Sequence, residues 1–95
     1  MCNEKQEEST VVTRPTQPEG QVFGVSLREL RTRRQMTQQE LADAAGLAGP
    51  YVSDMERGLK VPSLTTILRL SVALKCRVTE LVRVFDKADV RTLLP

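Results

Sequence analysis

The chain has 95 residues, a formal net charge of +2, an apolar fraction of 40% and only three aromatic side chains, Phe23, Tyr51 and Phe85. That is one small domain whose core must be built from Leu, Val, Ile, Ala and Met, which favours helices over a sandwich or barrel. Histidine is absent and the two cysteines, Cys2 and Cys76, are far apart, so neither a metal centre nor imidazole acid–base chemistry is expected.

The charge is uneven. Glu4, Glu7, Glu8 and Glu19 outweigh Lys5 and Arg14, so residues 1–20 carry −2 and residues 21–95 carry +4. Residues 1–20 are polar and hold Pro15, Pro18 and Gly20, the composition of a loosely attached arm. Within it, "STVVTR" has the make-up of a short edge strand that could pair between subunits. No secretory leader and no membrane-spanning run are read, and the cysteine usage suits a reducing cytoplasm.

From Val22 the pattern becomes helical. Phe23, Leu27 and Leu30 share one face, while Arg28, Arg31, Arg33 and Arg34 make the same helix strongly basic. A second helix opens at "TQQE", where Thr37 and Glu40 have the spacing of a reciprocal cap. Leu41, Ala42 and Ala45 form its inner face, and Gly46 can take the left-handed conformation that ends it. A third helix runs from Gly49 to Arg57, with Val52 and Met55 inward and Gly58 as its stop. Pro50 falls in its first turn, where a missing N–H costs nothing. Ser63 caps a fourth helix whose inner face is read as Leu64, Ile67, Leu70, Ser71 and Leu74. A fifth begins at Thr79, and the tail "DKADVRTLLP" leaves room for a short extra helix.

Two short helices joined at Gly46 and locked by Leu41, Ala42, Leu47, Val52 and Met55 make a helix-turn-helix unit. The same spacing would also suit an ordinary helical hairpin in a bundle. "TQQELA", the "ERG" that closes the third helix, the "PS" before the fourth and the "VTEL" of the fifth together resemble the lambda-repressor-like, Cro-type family of DNA-binding domains, from about Val25 to Phe85.

The resemblance implies an all-α, compact five-helix domain over residues 21–87, after an arm at 1–20 and before an extension at 88–95. It implies a sequence-specific transcriptional regulator, a repressor or autoregulator, that binds operator DNA through the major groove as a homodimer. Its positions assign phosphate contacts to Thr37, Gln38, Arg57 and Lys60. They assign Arg31 and Glu56 to a brace between the first and third helices, and base reading to Gly49, Pro50, Tyr51, Ser53 and Asp54. No cofactor and no catalytic residue follow from it.

Here the sequence departs from the family. Ala48 stands where a capping Ser or Thr is usual, and Gly49 and Pro50 replace amide side chains that read adenine. The remaining chemistry is a Pro50 surface for a thymine methyl, the Tyr51 hydroxyl, Ser53, and the Asp54 carboxylate as an acceptor for cytosine. Alternatively, Asp54 pairs with Arg57 or Arg34. Cys76 matches a small apolar core position, which makes it an inert thiol. The extension holds more apolar side chains than one short helix can bury. Val82, Phe85, Val90, Leu93 and Leu94 are therefore candidates for a dimer interface or for a protein partner.

Overall fold

The computed structural model describes residues 17–87 and 89–94. Most of the expected arm, including Cys2 and the "STVVTR" segment, lies outside them. The described residues form α1 (Pro18–Arg33), α2 (Gln38–Ala45), α3 (Gly49–Glu56), α4 (Leu64–Leu74), α5 (Val78–Val82), α6 (Val84–Lys87) and α7 (Val90–Leu93). No strand occurs among them.

The first helix starts earlier than its hydrophobic period suggests. Pro18 occupies the first turn and Glu19 sits beside the positive end of the helix dipole, so Pro18–Gly20 nucleate α1 instead of ending an arm. Arg31 and Arg33 complement the opposite end. Phe23, Leu27 and Leu30 enter the core. Gly24 lets α1 press against α3: a Cβ there would lie 2.5 Å from the Met55 carbonyl oxygen and 2.7 Å from that of Glu56. Ser26 donates from its hydroxyl to the Leu81 carbonyl at 3.0 Å, tying α1 to α5 across the core.

The second helix has both halves of its reciprocal cap. The Glu40 N–H donates to the Thr37 hydroxyl at 3.0 Å, and the Thr37 N–H donates to the Glu40 carboxylate at 2.8 Å. Gly46 ends the helix at φ 71°, a backbone that an L side chain rarely adopts. The chain then turns directly into α3. Leu41, Ala42, Val52 and Met55 are fully buried, so the two helices cross on a dry contact with Ala42 as its small member.

Ser63 caps α4 by accepting the Thr66 N–H at 3.1 Å. The inner face of α4 differs from expectation at one end. Ile67 packs on the core, and Leu70, Ser71 and Leu74 are buried with Thr66, but Leu64 is 70% exposed. Counted in steps of four, Leu64 continues into Leu68 and Val72, a row offset from the buried one. All three are exposed. The segment read as one fifth helix is two short ones, α5 and α6, joined at Arg83, with α7 as the additional helix. Leu81 anchors α5 in the core, whereas α6 and α7 contain no buried residue.

Candidate nucleic-acid interface

The third helix, α3, is held most firmly at its C-terminal end. Glu56, the last residue of α3, faces Arg31 of α1 in a two-pronged pair. Nε meets Oε2 at 2.5 Å and Nη2 meets Oε1 at 3.0 Å. The Arg31 side chain is only 12% exposed and that of Glu56 3%, so water screens the pair little. Arg31 also donates from Nη1 to the Met36 carbonyl at 2.7 Å, which ties the α1–α2 loop into the same cluster. These bonds to Glu56 hold the Arg31 guanidinium above its ordinary range, and partial burial opposes them.

Gln38 joins this cluster. Its Nε2 donates to the Glu56 Oε1 at 3.0 Å. Its half-buried side chain is thus turned inward, where the sequence assigns it to a phosphate. What Gln38 presents outward is the N-terminus of α2, whose first-turn N–H groups suit an anion. The Thr37 hydroxyl serves the Glu40 cap.

The N-terminal end of α3 is different. Ala48 makes no side-chain cap. Pro50 is exposed and Ser53 and Asp54 are half-exposed on the helix surface. Asp54 faces Arg57 at 3.9 Å and Lys60 at 4.0 Å. The candidate base acceptor therefore sits among the two candidate phosphate cations, and Arg34 is not its partner. Arg34 instead donates to the carbonyls of Leu74 and Lys75, closing the C-terminus of α4. Tyr51, a candidate base reader, is half-exposed: its ring packs partly against the core and its hydroxyl lies 3.5 Å from the Thr66 hydroxyl, between α3 and α4.

Two contacts escaped the sequence. Gln39 lays its carboxamide against Gly49, where a Cβ would meet Oε1 at 2.5 Å. The same carboxamide donates from Nε2 to the Asp43 carboxylate at 2.8 Å. The spacing of Gln39 and Asp43 is a legible helix pair. The approach to Gly49 depends on how α2 and α3 cross, which no local pattern encodes.

The expected interface residues divide in two. Val82 and Phe85 pack partly against the core of their own chain, whereas Val90 on α7 and Leu94 just after it are exposed and Leu93 is half-buried. Burial, reinforced by Glu80, pushes the Cys76 thiol up, and Arg34 opposes this. No group of metal-binding side chains occurs among the described residues. No described helix is long and apolar enough to cross a membrane.

Residues 27–81, more than half of the chain, match the family model described as Helix-turn-helix. The chain belongs to the helix-turn-helix family. It is 47% identical over 45 residues to the HTH-type transcriptional regulator DdrOP3 of Deinococcus deserti, covering 47% of this chain and 35% of that one. It is 36% identical over 59 residues to the immunity repressor protein of Bacillus phage phi105, covering 62% of this chain and 41% of the repressor. This chain thus spans less than half the length of both relatives. In the crystal structure of the restriction-modification controller protein C.AhdI from Aeromonas hydrophila, the fold recurs with a TM-score of 0.65 and 43% identity. That match covers 66% of this chain and 96% of the controller.

Proposed function

We propose that this helix-turn-helix protein is a transcriptional regulator that binds operator DNA as a homodimer, with α3 in the major groove. The observation that carries this is the brace on α3. A helix meant only to fill a bundle needs apolar burial, which Val52 and Met55 already supply. The additional Arg31–Glu56–Gln38 cluster fixes one end of α3 to both preceding helices while leaving its opposite end exposed. That suits a surface required to meet a fixed pattern of base edges.

Within this proposal the N-terminus of α2, at Thr37 and Gln38, meets a phosphate, and Arg57 and Lys60 follow the backbone beyond α3. Gly49, Pro50, Ser53 and Asp54 face the bases. Arg57 and Lys60 are well exposed, at 64% and 58%, as mobile phosphate contacts need to be. Glycine and proline contribute shape and apolar contact more than hydrogen bonds, so DNA deformability enters the specificity. The exposed Val90 and Leu94, together with Leu93, Val82 and Phe85, are the proposed contact between subunits. The family and the repressor among its relatives support a repressor or autoregulator without catalytic activity, working in the cytoplasm.

Selection from random duplex DNA tests this. The expected product is a palindrome with half-sites about one helical turn apart. Recovery of no preferred sequence overturns the proposal.

A further inference from the structure

We infer that Gln39, on α2, is a specificity-determining residue that reads one base pair of each half-site through its carboxamide. The inference rests on the DNA-binding role proposed above and names a reader for that same interface. It answers a chemical deficit. The first two residues of α3, Gly49 and Pro50, offer no side-chain hydrogen bond, yet an amide is present at that end of the helix. It comes from the neighbouring helix. The Gln39 Oε1, Cδ and Nε2 lie 2.5, 3.3 and 3.7 Å from the place where a Gly49 Cβ would stand. The absent side chain and the amide therefore fit together: glycine makes the space, and the carboxamide fills it.

A long exposed side chain would ordinarily wander. Gln39 is held by the bond from Nε2 to the Asp43 carboxylate, one helical turn on, at 2.8 Å. That bond uses one amide hydrogen. The carboxamide keeps its second hydrogen and the lone pairs of Oε1. A donor and an acceptor side by side match the N7 and N6 edge of adenine in the major groove. Asp43 is accordingly a positioning residue, since it orients the amide without touching the base. A carboxylate so close also argues against a phosphate as the target of Gln39, because it would repel one.

The test is the random-duplex selection run with the unaltered chain, Gln39→Ala, Gly49→Ala and the double variant, each checked for folding by thermal melting. Both substitutions leave the buried core untouched. Gln39→Ala is expected to keep the half-site spacing and the other preferences, while the adenine preference at one base pair falls roughly tenfold. Gly49→Ala pushes the carboxamide aside and is expected to weaken the same base pair. The double variant adds nothing further, because both remove one contact. The inference is overturned if Gln39→Ala lowers affinity evenly for all sequences, if it changes nothing, or if the two variants affect different base pairs. An unaltered chain that enriches no sequence would overturn the DNA-binding role itself, and this inference with it.

Discussion

The two ends of α3 are built on opposite plans. At its C-terminal end, a nearly buried ion pair, an amide and a glycine-mediated helix crossing hold the backbone against α1 and α2. At its N-terminal end there is no side-chain cap, and Gly49 and Pro50 present almost no polar chemistry of their own. The contrast separates positioning from reading. Rigidity is supplied from behind, by side chains that bond one another between α1, α2 and α3. The chemistry at the front is then open to change, and here part of it is borrowed from α2.

Substitutions can break this contrast, and the largest effect is expected at the braced end. Glu56→Ala leaves the Arg31 guanidinium nearly buried without its carboxylate and should cost about 3 kcal/mol in a denaturant titration. A loss under about 1 kcal/mol would mean that the brace contributes little. Gly24→Ala comes next. Its methyl would press on the Met55 and Glu56 carbonyls, backbone atoms that cannot rotate away, and should cost about 2 kcal/mol. It should also weaken operator binding beyond its effect on folding, because α3 must shift. Equal affinity in the folded variant would show that the crossing does not set the reading geometry.

At the other end the effects are smaller and one changes sign. Ala48→Ser adds the missing cap at a residue already in extended backbone, at φ −74° and ψ 141°, and should raise stability by about 1 kcal/mol. No gain in melting temperature would mean that the N-terminus of α3 is satisfied in another way. Asp54→Asn removes only exposed contacts near 4 Å to Arg57 and Lys60. It should change stability by no more than about 0.5 kcal/mol. It should tighten binding to unrelated duplexes, because a negative charge leaves the surface that meets phosphates, and should weaken the preference at the base pair that Asp54 faces. A binding measurement at fixed salt decides this, and weaker binding overall would contradict that placement of Asp54.

The fold was legible where the signal is local. The Thr37–Glu40 cap, the left-handed Gly46, the Ser63 cap and the spacing of Phe23, Leu27 and Leu30 all act within one or two helical turns. Leu64 is ambiguous in sequence because an apolar residue at the edge of a stripe fits two adjacent rows equally well, and the fold leaves it exposed. The site was less legible. Arg31 and Glu56 are 25 positions apart, and only their likeness to a family pattern paired them. Nothing local shows that Gln38 turns inward, that the Tyr51 ring lies on the core, or that Gln39 reaches Gly49. Each depends on the distance between helices, which is set by the packing of the whole domain.

The central claim is that a braced α3 reads DNA sequence. Its most direct test is a fluorescence-anisotropy titration of the intact protein against its selected duplex and a scrambled duplex of equal length, at one near-physiological salt concentration. Binding to the selected duplex should be at least about a thousandfold tighter. Equal affinities for the two would contradict it.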